Sequence, residues 1–187
     1  SKLLTTKTDN CAQNIFFKKS GSYTGEISPT MIKDCGCKWV MIGHSERREI
    51  FNESNEMINK KLLLSLKENL NIIFCVGESE NERMEGKTEE VINEQLVSGF
   101  KNINLNDKNK MIIAYEPVWA IGTGITADIG EIKYAHECIR NFVVKKGYKS
   151  QNISIIYGGS VTSKNAEEIS KISNVDGFLV GGASLNV

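Results

Sequence analysis

Proline and histidine are scarce in this chain of 187 residues, with two of each. Two prolines exclude a proline-rich linker protein, and 16 glycines without a three-residue period exclude a collagen-like strand. No apolar run reaches the roughly 18 residues that a membrane-crossing helix needs. The opening Ser1-Lys2-Leu3-Leu4-Thr5-Thr6 contains no signal-peptide core. Net charge is missing too: 23 basic and 23 acidic side chains leave no field to attract nucleic acid or an anionic membrane. The remaining composition, 40% apolar, 25% charged and 7% aromatic, is that of a globular protein. The expectation is one soluble, intracellular domain over residues 1–187, cytoplasmic with an organelle as the alternative, and with neither nucleic acid nor membrane as partner.

A disulfide or zinc framework is also absent. The five cysteines, Cys11, Cys35, Cys37, Cys75 and Cys138, are odd in number, and Cys35-Gly36-Cys37 is a CxC with no second pair nearby. Free thiols in a reducing compartment and no bound metal are expected. The sequons at Asn52 and Asn152 are then chance matches.

What is present is an alternation. Continuous apolar runs at Trp39–Ile42, Asn71–Val76, Met111–Tyr115, Ser154–Tyr157 and Gly177–Val180 predict buried parallel strands, with a weaker one at Cys11–Asn14. Between them, Asn55–Leu70 carries Met57, Ile58, Leu62, Leu63, Leu66 and Leu70 near helical period, and Thr88–Phe100 carries Val91, Ile92, Leu96 and Phe100. Ser28-Pro29 and Asp128 with Glu131 read as helix starts. Strand and helix alternating in this way predict an α/β fold with right-handed crossovers.

The chemistry collects just after the strands: Gly43-His44-Ser45-Glu46-Arg47-Arg48, Gly77-Glu78-Ser79, Glu116-Pro117-Val118-Trp119, Gly158-Gly159-Ser160 and Gly181-Gly182-Ala183-Ser184. In a parallel sheet those ends share one face, where ligands bind. The last two glycine turns can offer backbone N–H groups and a helix start to a phosphate; the plainer reading is a turn needing positive φ.

Other patterns point away from function. Gly86-Lys87-Thr88 resembles the end of a phosphate loop, but Asn81 replaces its first glycine. The surrounding Glu78, Glu80, Glu82, Glu85, Glu89 and Glu90 read as a solvated acidic helix surface. No GxGxxG occurs, and Ser45 lacks the closing glycine of a nucleophile elbow. His136 lies mid-helix and reads as a surface or packing residue. His44 stands at a strand end among polar groups. Glu116 follows a buried run, where desolvation strengthens a carboxylate as a base. Together they suggest proton abstraction next to a carbonyl.

Gly43–Arg48, Ala114–Gly124, Tyr157–Val161 and Gly177–Leu185 closely resemble the triosephosphate isomerase family, in its order and approximate spacing. The resemblance implies a parallel (β/α)8 TIM barrel and interconversion of dihydroxyacetone phosphate and glyceraldehyde 3-phosphate through an enediolate, without a cofactor. It implies Glu116 as base, His44 as neutral electrophile and Glu46 as an organising carboxylate. Gly122, Ser160, Gly181 and Gly182 would hold the phosphate. Pro117 to Thr126, including Val118, Trp119, Ala120, Ile121, Thr123 and Gly124, would form a lid. Tyr157 and Ser160 would latch it by pairing with Ala127 and Gly124. Ser20–Ser28 resembles the family's protruding loop, implying a homodimer with Thr24 at the tip and Asn14 and Glu26 near the contact.

The match begins just before the family's third strand and stops just past its eighth. The expected fold is therefore an incomplete barrel lacking the first two βα units and the last helix. The family's Asn-x-Lys has no counterpart, since Lys2, Lys7, Lys18 and Lys19 do not match by position. The expectation is that these residues alone have little activity. The rival readings are another phosphate-binding barrel enzyme, such as an aldolase, and a catalytically dead dimerising homologue.

Overall fold

The computed structural model describes residues 8–105, 110–121, 126–149 and 153–185. Its strands are β1 (Cys11–Ala12), β2 (Trp39–Ile42), β3 (Asn71–Val76), β4 (Met111–Tyr115), β5 (Ile153–Tyr157) and β6 (Gly177–Phe178), hydrogen-bonded in sequence order. The helices are α1 (Pro29–Asp34), α2 (Ser45–Glu49), α3 (Asn55–Lys67), α4 (Glu80–Met84), α5 (Thr88–Gly99), α6 (Ile129–Lys145) and α7 (Ala166–Ile169), with 3-10 turns at Val118–Ala120 and Gly182–Leu185. Among the described residues no helix is long and apolar enough to cross a membrane, and no three metal-ligating side chains cluster.

Internal contacts divide the chain into two compact units, Ser1–Phe74 with Ser98–Met111 and Cys75–Val97 with Ile112–Val187. In the first, β1 and β2 pair in parallel, Cys11 opposite Trp39, and β2 continues onto β3 with Val40 opposite Ile72. Val40, Ile42, Ile72 and Phe74 are almost fully buried, as strands covered on both faces require. Ser28 caps α1 by accepting from the Met31 N–H, with Pro29 at the first helical position. On α3 the buried stripe is Ile58, Lys61, Leu62 and Ser65, whereas Leu63 and Leu66 are only half-buried. That helix stops at Lys67, short of the expected Leu70. Asn69 turns left-handed at φ 58°, and the Leu70 N–H reaches back to Ser65 O at 2.9 Å. Gly99 ends α5 where a Cβ would lie 2.5 Å from the Phe74 ring, so only glycine lets the two approach.

In the second unit, Asp128 and Glu131 form the expected capping box of α6, each hydrogen bond 2.8 Å long. Ile132, Ala135, His136, Ile139, Phe142 and Val143 make its buried stripe. Each fully buried large apolar side chain there contributes about 1.5–3 kcal/mol. His136 is thus a packing residue. β5 begins one residue earlier than expected, at Ile153. The expected strand Gly177–Val180 ends at Phe178, with one further ladder bond from Leu179 N to Tyr157 O at 2.9 Å. It stops because the next carbonyl on the β5 side, Gly159 O, accepts the Val161 N–H at 2.8 Å instead.

Candidate active site

His44 is delivered by a glycine. Gly43 takes φ 80° directly after β2, turning the chain so that His44 becomes the N-cap of α2. Its Nδ1 accepts the Glu46 backbone N–H at 3.3 Å. A backbone amide can only donate, so the remaining proton of the neutral ring sits on Nε2. Burial lowers the His44 pKa below its usual 6.5, opposed by the Glu46 carboxylate 3.9 Å from Nδ1. An uncharged imidazole with a donor Nε2–H is the species this environment favours. Glu46 is itself largely exposed.

The same unit holds a cluster missed in the sequence. Lys61 is 2% exposed; its Nζ reaches Asn14 Oδ1 at 2.8 Å and Glu53 Oε1 at 2.5 Å, and Arg47 also binds that carboxylate. Asn14 is thereby anchored; two residues on, the Phe16 N–H bonds Ile27 O of the 20–28 loop at 2.9 Å, and in that loop Thr24 and Glu26 are exposed. A polar lysine inside an apolar helical stripe was the available signal.

In the second unit Glu116 directly follows β4 and is 2% exposed. Its N–H bonds Val76 O at 2.8 Å, fixing the backbone against the end of β3. Two glycines make room for it. A Cβ on Gly77 would lie 1.8 Å from Glu116 O, and one on Gly158 would lie 3.0 Å from Glu116 Cγ. Gln95 clamps Gly77 through paired 2.9 Å hydrogen bonds to its N–H and C=O.

Glu78 corrects the sequence reading. It is not part of a solvated acidic surface but fully buried, and burial raises its carboxyl pKa. Its Oε1 accepts the Tyr115 hydroxyl at 3.1 Å and the Trp119 indole N–H at 3.3 Å, while its backbone oxygen accepts Val118 N–H at 3.1 Å. The turn Val118–Ala120, entered through Pro117, is therefore held at both backbone and side chain.

Ser160 Oγ donates to Ala120 O at 2.6 Å, and Thr126 Oγ1 and Asn165 Nδ2 both reach Ser160 O. The expected helix start behind Ser160 is not there: α7 begins only at Ala166 and has four residues. A 3-10 turn does begin at the second glycine of the other pair, Gly182, with Gly181 and Gly182 exposed and open around the Cβ position. None of Gly158, Gly159, Gly181 and Gly182 has positive φ, so neither tight turn is the reason for them. Gly159 is instead required by the Tyr157 hydroxyl, 2.0 Å from its would-be Cβ. Tyr157, its pKa pushed up to about 12 by burial, points at the Ala127 backbone without completing a hydrogen bond. Gly122, Thr123 and Gly124, and with them the pairing of Ser160 with Gly124, lie outside the described residues; Ile121 closes the described turn.

A family model described as triosephosphate isomerase matches residues 1–187. Curated relatives named triosephosphate isomerase include those of Thermodesulfovibrio yellowstonii, 48% identical over 98% of this chain and 74% of its own length, and Dictyoglomus turgidum, 51% identical over 93% and 71%. That of Taenia solium is 49% identical over 93% of this chain and 71% of its own length.

Proposed function

As a member of the triosephosphate isomerase family, the chain is an isomerase acting on a triose phosphate, and we propose that its proton transfers run through Glu116 and His44. The six parallel strands belong to that family's (β/α) barrel, which we read as a single domain. The carrying observation is Glu116: an acidic residue almost wholly withdrawn from water at the end of β4, with Gly77 clearing space for its backbone oxygen and Gly158 for its Cγ.

The Glu116 carboxylate removes a proton from the carbon beside the substrate carbonyl. The Nε2–H of neutral His44 donates to the carbonyl oxygen as negative charge develops there. The resulting enediol is reprotonated by Glu116 on the neighbouring carbon, and His44 recovers its proton from the other oxygen. A neutral ring suits this step because its acidity lies nearer that of an enediol than an imidazolium's does. Glu46 orients His44 through its backbone N–H. Gly122, Ser160, Gly181 and Gly182 offer main-chain donors to the phosphate. Residues 117–126 cover the site and exclude water, Tyr157 and Ser160 latching them, which protects the enediolate from losing phosphate. No metal or organic cofactor takes part.

We assign the active form as a cytoplasmic homodimer, joined through the 20–28 loop with Asn14, Thr24 and Glu26 at the contact. The exposed Tyr23, Ile27, Met31, Ile50 and Phe51 support it as apolar surface for burial in a partner copy. Sedimentation at micromolar concentration tests this assignment, and a monomer refutes it. An aldolase reading lacks its Schiff-base group, since no described strand is followed directly by a lysine.

The deciding experiment is turnover of dihydroxyacetone phosphate by Glu116→Gln against the unaltered chain. Loss of a positioned base lowers kcat by about 10²–10⁴. Unchanged turnover would overturn the assignment.

A further inference from the structure

Arg83 makes an arrangement that the chemistry above does not use. It lies on α4, a five-residue helix with no buried residues, so core packing is not what α4 supplies. Ser79 and Glu82 nevertheless form a full capping box that fixes this short helix. The guanidinium contacts three separate segments. Its carbon lies 4.5 Å from the Trp119 ring centroid, stacked on the turn Val118–Ala120. One nitrogen approaches the buried Glu78 Oε1 at 3.8 Å, and another pairs with Glu131 Oε1. The second oxygen of Glu131 accepts the Asp128 N–H, so the same carboxylate caps α6 and binds Arg83.

Trp119 is thereby held on two sides. Its indole N–H is bonded to Glu78, and its ring lies against Arg83. Only Pro117 and Val118 separate it from Glu116; the proline ring fixes one backbone torsion there, and Val118 N–H is tied to Glu78 O at 3.1 Å. A shift of the indole is therefore passed to the carboxylate rather than absorbed. A planar, always-charged cation suits this place: it stacks on an aromatic face and still binds carboxylates with its edges, which lysine cannot do at once.

We propose that Arg83 is a positioning residue for the isomerisation, fixing the turn after Glu116 through Trp119 and tying that turn to the start of α6 through Glu131. This rests on Glu116 being the base. Arg83→Gln is expected to lower kcat about tenfold with KM within twofold, since the defect lies in the base's placement and not in substrate binding. Arg83→Lys recovers part of the loss by keeping the charge without the stack. In a Trp39→Phe background the emission of Trp119, then the sole tryptophan, should shift in Arg83→Gln even without substrate. Parental kcat and unshifted emission would overturn the proposal, and so would a lowered melting temperature with kcat intact. Failure of the base assignment itself reads out separately, as full turnover in Glu116→Gln.

Discussion

Acidification should weaken this fold through one histidine. His136 on α6 is wholly buried, edge-on to Tyr115 with ring centroids 5.9 Å apart. Its Nδ1 lies 2.8 Å from Asn174 O, which can only accept, so the proton is on Nδ1 and the bare Nε2 has no hydrogen-bond partner among the described residues. Burial drives its pKa from 6.5 down to about 4, with Asn174 O and Asp176 opposing and Arg140 assisting. The unfolded chain therefore takes up this proton first. Stability is complete above about pH 6.5 and is lost as pH falls toward 4. With those two values, RT ln[(1 + 10^1.5)/(1 + 10^−1)] gives a loss of about 2 kcal/mol at pH 5. His136→Phe keeps the ring against Tyr115 and forfeits the Asn174 bond, costing about 1 kcal/mol at neutral pH. It should not show the acid loss. Urea unfolding of both proteins at pH 7 and pH 5 isolates the effect, because the lysine-paired Asp9 and Glu68 titrate alike in each. The raised Glu78 carboxyl acts in the opposite sense and also cancels. An acid loss of equal size in both proteins would refute the reasoning.

Three further outcomes follow from other contacts. Gly77→Ala places a Cβ 1.8 Å from Glu116 O, so the end of β4 must move; kcat should fall about 100-fold, read by steady-state turnover of folded protein. Lys61→Met leaves the buried Glu53 with Arg47 alone and should cost about 3 kcal/mol in urea unfolding, with recovery in the double variant Lys61→Met/Glu53→Gln. In Glu46→Gln the opposing carboxylate is gone, so the His44 midpoint followed by NMR, already below 6.5, should move lower still. An upward movement would show that the Glu46 carboxylate does not act on His44.

The alternation of strands and helices was legible because burial on both faces leaves no polar residues inside a strand. β2, β3 and β4 end where their apolar runs end. Boundaries set by hydrogen bonds to distant residues were not. Leu70 is apolar and in phase with α3, yet Asn69 turns left-handed before it. Val180 belongs to the same apolar run as Phe178, but β5 supplies its last ladder acceptor at Tyr157, and Val180 stands 41% exposed. A run of letters records what can be buried, not whether a neighbour still offers an acceptor.

The site divides along the same line. His44 and Glu116 stood out because each stands at, or one glycine beyond, the end of a buried run. Glu78 has that position too, but five further glutamates within the next twelve residues disguised it as solvated surface. Its partners Tyr115 and Trp119 lie 37 and 41 residues away. Arg83 and Lys61 were hidden for the same reason, as cations whose meaning lies in aromatic or carboxylate partners elsewhere in the chain. The glycines show the limit most clearly. Sequence allowed two explanations for Gly158 and Gly159, a positive φ or a bare donor, and positive φ does not account for them. Each marks a place where another group needs the space of a Cβ: Glu116 beside Gly158 and the Tyr157 hydroxyl beside Gly159. Because that space belongs to residues distant in the chain or folded back on it, an alanine at either position would damage the site while preserving every local turn preference.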